Sequence, residues 1–466
     1  MMLMRVLFTS CINTAKNLCE NVTNIFYPTR KTAFADFSCG SSNVNVLGME
    51  VIMNKIIFHI DVNSAFLSWE SVYRLTQGKG ICPDEDICEL SREFVDSEGN
   101  IIDLRNIPSA VGGDMASRHG VILAKSIPAK RYNVRTGESI VEAMRKCPCL
   151  LVVKPHHHIY RQYSEKFIDI LKEYSPDVEQ VSVDEAFVDM TGTELLFGQP
   201  IDAAHKIKDR IREELGFTVN VGISSNKLLA KMASDFKKPD LVHTLFPDEI
   251  KTKMWKLPVS ELYFVGKATT KKLSSMGIIT IGDLAKSDIN ILKMQLKKQG
   301  EIIWNFANGI DFTVVQSEPS KNKGYGNSTT ISFDVEDADI AKHILLSLAE
   351  TVSSRLRQDN VKISSVSVGI KDNTFKTTSH QKVLASPTDI TNEIHQAACE
   401  LFDEMWDGAP IRLLGIQTTR IDEGNYGRQM DLFDNTDYEK LEKLDNAVDK
   451  IREKYGKDKI KRATFL

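Results

Sequence analysis

Three carboxylates stand where short apolar runs end. Asp61 follows Lys55-Ile-Ile-Phe-His-Ile60, and the adjacent pair Asp184-Glu185 lies inside the β-rich stretch 178–190. A compact set of carboxylates can hold two divalent cations about 4 Å apart, because hard Mg²⁺ takes oxygen ligands and keeps positions for phosphate oxygens and water. Such a pair of ions supports in-line phosphoryl chemistry. The plainer alternative for Asp184-Glu185 is a solvated hairpin turn. Asp61 is followed by Val62-Asn63-Ser64, where Asn63 or Ser64 can cap a helix. A carboxylate at a strand end beside a helix N-terminus is a place to hold a metal and a phosphate.

The surrounding elements must bring these groups together. The run Ile56, Ile57, Phe58, Ile60 reads as a buried strand, and Ala65, Phe66, Trp69, Val72, Tyr73 and Leu75 follow at helical spacing. Residues 77–106 are polar and turn-rich, and strands are expected at 107–113 and 121–125. Helical spacing returns at 140–145 and 160–174, a hairpin or bulged strand surrounds Asp184-Glu185, and a helix over 202–215, a strand over 218–223 and a capped helix from Ser225 complete the pattern. This first folded domain reads as α+β. Residues 247–315 are mostly helical. After a polar linker at 316–324, a further α+β segment runs to about 423, with strands at 363–371 and 413–420 and helices at 341–357 and 389–406. In the tail, Tyr438, Leu441, Leu444, Val448, Ile451 and Tyr455 share helical spacing.

Length and composition narrow the class. The 466 residues suit three or four domains, and 42% hydrophobic with 26% charged residues reads as a soluble globular protein. No window approaches the roughly 18 uninterrupted apolar residues of a membrane span. The formal net charge is -4, from 59 basic and 63 acidic residues, so total charge makes no case for an anionic partner. Its distribution does: residues 206–300 hold 18 Lys and Arg against 10 Asp and Glu. Eight cysteines show no CxxC spacing, and reduced thiols in a cytosolic setting are expected. Residues 1–52 differ in texture and are read as an extension outside the fold. Either they carry a targeting signal, or the start codon is placed too early and Met53 is the initiator.

Four ordered blocks carry a resemblance. Phe58-His-Ile-Asp-Val-Asn-Ser-Ala-Phe66, Ala124-Lys-Ser-Ile-Pro-Ala-Lys-Arg-Tyr132, Ser182-Val-Asp-Glu-Ala-Phe187 and Gly222-Ile-Ser-Ser-Asn-Lys-Leu-Leu-Ala-Lys231 resemble the signature blocks of Y-family translesion DNA polymerases, within the bacterial branch of DNA polymerase IV and UmuC-like enzymes. The resemblance implies a multidomain α+β right hand: a ferredoxin-like palm (53–76 and 150–246), small fingers (77–149), a helical thumb (247–316), an α+β little finger (325–423) and a tail (424–466). It implies two Mg²⁺ held by Asp61, Asp184, Glu185 and the Val62 carbonyl. Phe66 falls on the steric gate, a ring that collides with a ribonucleotide 2′-OH. The backbone amides of Asn63, Ser64, Ala65 and Phe66, at a helix start, would meet the triphosphate, joined by Lys130 and Lys238. The family often has Tyr and Arg where Ile127 and Lys130 stand; a lysine keeps the charge and loses the bidentate fork.

Residues 262–277 are similar to the thumb's helix-hairpin-helix, which grips a DNA backbone through turn amides and lysines, here Gly266, Lys267, Lys271 and Lys272. Tyr263 and Phe264 replace the usual proline and first glycine. Gln429-Met430-Asp431-Leu432-Phe433 resembles the pentapeptide by which bacterial polymerases dock on the sliding clamp's beta subunit, with Leu432 and Phe433 as anchors. His156-His157-His158 invites a metal reading, but consecutive side chains splay apart. The expected activity is low-fidelity, template-directed synthesis on primer-template DNA from deoxynucleoside triphosphates, without proofreading, by a cytoplasmic monomer. A clamp-bound DNA-binding accessory protein without polymerase activity is the alternative, and a two-metal nucleotidyl cyclase a more distant one.

Overall fold

The computed structural model describes residues 55–76, 99–113, 120–318, 321–422, 437–456 and 459–465. The extension 1–52, most of the expected insertion 77–106 and the pentapeptide 429–433 lie outside the described residues. In chain order the strands are β1 (Ile57–Val62), β2 (Ser109–Gly112), β3 (Ile122–Lys125), β4 (Leu151–Val153), β5 (Val178–Gln180), β6 (Glu185–Asp189), β7 (Val219–Ser224), β8 (Val242–Thr244), β9 (Tyr325–Val335), β10 (Lys362–Asp372), β11 (Thr377–Thr388) and β12 (Ile411–Asp422). They form three sheets of order β5-β6-β1-β7-β8, β3-β2-β4 and β11-β10-β12-β9.

In the five-stranded sheet β1 lies between β6 and β7, antiparallel to both, and all six of its residues are buried. A strand enclosed on both faces and both edges must be apolar along most of its length, which is why Ile57-Phe-His-Ile60 precedes the carboxylate. Phe58, Ile60 and Val62 join the large core formed with helices Ala65–Thr76, His157–Lys172 and Pro200–Leu215, where Trp69, Tyr160, Phe167 and Phe217 are fully buried. Ile57, His59 and Asp61 point the other way, the period-2 consequence of the pleat. Helix Lys227–Asp235 covers that second face. Its cap is Asn226, whose side chain accepts from the Leu229 amide at 2.8 Å, one residue beyond the expected Ser225.

Gly222 on β7 lets that helix approach. A Cβ there would stand 2.0 Å from the Ala230 carbonyl oxygen and 2.4 Å from the Ser234 nitrogen. The same helix supplies Leu228, Leu229, Met232 and Ala233 to a helical module whose core includes Met254, Leu273, Ile281, Leu284, Leu292 and Ile303. It is therefore the joint between sheet and module.

In the four-stranded sheet all pairs are antiparallel, and helices Ala338–Gln358 and Thr391–Met405 cover one face. The sequence reading found β10, β12 and both helices and missed β9 and β11. β11 is an edge strand whose first seven residues are exposed, and β9 carries Asn, Ser and Thr between widely spaced apolar residues. Neither shows the run of apolar residues that marked the central strands. The tail helix Tyr438–Tyr455 forms as its spacing predicts, but its apolar stripe docks only in part, with Tyr438, Leu441 and Val448 half-buried. Leu444, Ile451 and Tyr455 stay exposed. Contact also runs through buried Asp445, with Arg357 bonded to Asp445 at 3.1 Å and Asp449 at 2.7 Å, and Arg452 bonded to Glu350 at 3.0 Å.

Candidate active site

Asp61 of β1 and Glu185 of β6 are direct partners in the antiparallel register, so both side chains leave the sheet on the same face. The Val62 N–H donates to the Asp184 carbonyl at 2.9 Å, which locks the hairpin's first residue onto the end of β1. Asp184 is half-buried, and the Ser182 hydroxyl donates to its Oδ1 at 2.5 Å.

Two lysines balance the opposed pair. Lys238 pairs with Asp61, and also with Asp235 at 2.9 Å. Lys231 pairs with Glu185. Burial pushes the Asp61 carboxyl above its ordinary value against the pull of Lys238. Glu185 goes the other way, down to about 2, through the His59 contact at 3.2 Å and Lys231. His59 itself is held below the usual imidazole value by burial, so at neutral pH the Lys231 ammonium carries the neutralising charge.

Among the described residues no group of three or more His, Cys, Asp or Glu side chains stands gathered as a ready metal cluster. The donor set nonetheless fits a hard divalent cation: it is all carboxylate oxygen, and its two opposed members carry negative charge that only ammonium groups now offset. Lys238, expected to meet the triphosphate, stands beside Asp61. Lys130 does not; it is exposed on the short helix Ile127–Arg131 of the three-stranded sheet's domain.

The loop from β1 to helix Ala65–Thr76 differs from expectation in one respect. Of the four amides expected to face a triphosphate, that of Asn63 donates to the Thr218 carbonyl at 3.0 Å. Ser64, at φ 49°, Ala65 and Phe66 come before the first intrahelical bond, from Ser68 N–H to the Ser64 carbonyl at 3.0 Å. They retain the orphan donors of a helix start. The Asn63 Oδ1 is a buried acceptor without a hydrogen-bond partner on this loop.

Phe66 is half-buried and stacks on Tyr160, with ring centroids 4.7 Å apart and planes at 15°. His157 meets the Phe66 ring edge-on at 5.8 Å. The Tyr160 hydroxyl donates to Glu70 at 2.9 Å, and Glu70 also binds Arg74 at 3.0 Å and His156 at 3.1 Å. Glu70 and Tyr160 were missed from the sequence, although Phe66, Glu70 and Arg74 repeat at four-residue intervals on one helix. The three consecutive histidines do diverge, His156 toward Glu70 and His157 toward Phe66.

In the helical module Phe264 adopts φ 75°, the left-handed conformation for which the hairpin motif ordinarily uses glycine. The turn therefore forms despite the substitution, and Gln299 braces it by donating to the Phe264 carbonyl at 2.9 Å. Gly266 precedes helix Lys267–Ser275, and Lys267, Lys271 and Lys272 are exposed on it. Lys231 lies 5.5 Å from the centre of the Tyr263 ring, so one ammonium touches both Glu185 and the hairpin.

Known proteins are similar to this chain. Residues 90–235 match the impB/mucB/samB family, residues 322–432 its C-terminal domain, and residues 261–311 the thumb domain described for DNA polymerase-iota. A solved Y-family DNA polymerase chimera has a TM-score of 0.66 at 20% identity, covering 79% of this chain and 100% of that one. The fold is thus that of a Y-family polymerase hand. The DNA polymerase IV of Clostridium acetobutylicum is 45% identical over 414 residues, 89% of this chain and 99% of the relative. That of Acetivibrio thermocellus is 38% identical over 418 residues, 89% and 98%. The chain belongs to the impB/mucB/samB family of Y-family DNA polymerases.

Proposed function

We propose that this protein is a template-directed DNA polymerase that extends a primer with deoxynucleoside triphosphates across damaged template bases, with low fidelity and without proofreading. The observation that carries the reading is the pair Asp61 and Glu185, opposed in register on the second face of the sheet with Asp184 next in the chain. Divalent cations, Mg²⁺ by resemblance to the family, would be held by Asp61, Asp184, Glu185 and the Val62 carbonyl, where they supply a lowered pKa to the primer 3′-OH and offset phosphate charge.

The chain's own groups do the positioning. Orphan amides of Ser64, Ala65 and Phe66 receive triphosphate oxygens, and Lys238, already beside Asp61, supplies a mobile positive charge. The Phe66 ring, backed by Tyr160, stands under the sugar and excludes a 2′-OH. Gly266 and the lysines of the hairpin helix take the DNA backbone. In domain terms the palm comprises 53–76 and 150–246, the fingers 77–149, the thumb 247–316 and the little finger 325–423. The tail docks a sliding clamp through Gln429, Met430, Asp431, Leu432 and Phe433, and the enzyme works as a cytoplasmic monomer. Among the described residues no helix is long and apolar enough to cross a membrane.

The test is primer extension with Mg²⁺ and all four deoxynucleoside triphosphates on undamaged and abasic templates. Synthesis that crosses the lesion, and is abolished in a folded Asp184→Ala/Glu185→Ala variant, is expected. Tight DNA binding with no incorporation by the wild-type chain would favour the accessory protein instead.

A further inference from the structure

Glu185 is braced by residues to which the polymerase reading assigns no task. His59 lies two positions before Asp61 on β1 and therefore on the same face of the sheet. It is fully buried and tilted against Phe187, 4.7 Å between ring centroids. Its Nδ1 is 2.7 Å from the Ser234 hydroxyl, which also lies 2.8 Å from the Lys231 carbonyl. When that hydroxyl gives its proton to Nδ1, the neutral ring carries its own proton on Nε2. This fixes the ring's tautomer and orientation, with Nε2–H donating to Glu185 Oε2 at 3.2 Å. The Lys231 ammonium sits in the same corner, donating to Oε2 and 3.4 Å from Nε2. Both contacts fall on Oε2, which leaves Oε1 for another ligand.

We propose that His59, locked by Ser234, is a positioning residue that together with Lys231 ties down Oε2 of Glu185 and presents Oε1 as the oxygen for a divalent cation. The inference rests on the polymerase reading of Asp61 and Glu185. A carboxylate free to rotate spends its time between two binding poses, whereas one pinned by its outer oxygen offers a single pose to the ion. Groups that orient a metal ligand in this way change metal affinity by about 10–100-fold. A histidine that merely fills the core would affect folding stability and leave cation affinity alone.

The experiment uses the full chain and Mn²⁺ as the probe. Mn²⁺ affinity is read from the electron paramagnetic resonance signal of the free ion, without DNA. The Mg²⁺ dependence of primer extension is measured beside it at saturating deoxynucleoside triphosphate. His59→Phe keeps the ring and removes both nitrogens; it should weaken Mn²⁺ binding and raise the Mg²⁺ requirement about tenfold, with the KM for nucleotide at saturating Mg²⁺ unchanged. His59→Gln, whose amide can reach Oε2 from the Nε2 position, should recover part of the loss. Ser234→Ala should shift both quantities in the same direction, and it keeps the test decisive if His59→Phe does not fold. Unchanged Mn²⁺ affinity in either folded variant, even with a lowered melting temperature, overturns the proposal. A wild-type chain that binds Mn²⁺ but extends no primer would instead overturn the polymerase reading, and the Mn²⁺ comparison would still be readable.

Discussion

At the scale of single residues, the most constrained group is Glu70, fully buried between Arg74, His156 and Tyr160. Burial alone would raise its carboxyl, yet those partners hold it below its ordinary value. Such a group contributes stability that is present above the unfolded carboxylate range and lost as pH falls toward the depressed folded value. Replacing Glu70 by Ala removes the buried carboxylate that Arg74, His156 and Tyr160 share, at a cost of about 3–5 kcal/mol. Urea unfolding at pH 7 checks the size. The same titration below pH 4.5, against Glu70→Gln, checks the sign, because Gln should remove part of the acid-induced loss. Phe66 depends on this network, since Tyr160 both backs its ring and reaches Glu70. Phe66→Ala should improve ribonucleotide incorporation relative to deoxyribonucleotide by about 10–100-fold, comparable to the energy of one contact in a shaped pocket. Competing triphosphates in single-nucleotide extension would read it, and an unchanged ratio would make Phe66 a packing residue only.

Between elements, the approach of helix Lys227–Asp235 to the sheet decides most of the site, since it carries Lys231 and Ser234 and begins the helical module. Gly222→Ala would place a methyl group against the Ala230 carbonyl, and backbone cannot swing away as a side chain can. The expected cost is about 1–3 kcal/mol or more, and because a retreating helix takes Lys231 with it, primer extension should fall even at temperatures where the variant stays folded. Full activity with wild-type stability would show that the helix has room to move. The sequence announced the central strands and the amphipathic helices because burial forces an apolar pattern there. Asp61, Asp184 and Glu185 are marked as candidates by their place at strand ends, and it is the four ordered blocks around them, through their resemblance, that set them apart from a solvated turn. The sequence did not announce β11, whose exposed edge needs no apolar side chains, nor the ion pairs to Arg357 and Glu350 that dock the tail helix beside its half-buried apolar residues. Lys231 and Ser234 escaped for a different reason: their placement depends on a helix-to-strand distance set at Gly222, nine residues before Lys231 and 12 before Ser234. His59 was within reach of sequence reasoning, because alternation along β1 already put it on the face of Asp61.

Over the whole molecule, charge is unevenly placed. The chain is slightly acidic overall, yet residues 206–300 hold 18 basic against 10 acidic residues, and Lys267, Lys271 and Lys272 project from a helix whose preceding turn Phe264 and Gln299 hold in shape. An acidic remainder does not cancel a local basic surface at physiological salt, where the screening length is about 8 Å. DNA affinity should therefore fall steeply with salt, with no preference for sequence, because phosphate contacts release counterions and read no bases. Each phosphate neutralised on duplex DNA contributes about 0.9 to the slope of log affinity against log salt. Lys267→Ala/Lys271→Ala/Lys272→Ala should then reduce the magnitude of that slope by about 2–3 and weaken binding nearly equally across template sequences. Fluorescence anisotropy of a labelled primer-template over a salt series measures both quantities. These lysines are exposed, so the triple variant should keep the melting temperature of the wild type. A slope that does not change would place the phosphate contacts elsewhere on the molecule and leave the hairpin a structural brace between Lys231 and the helical module.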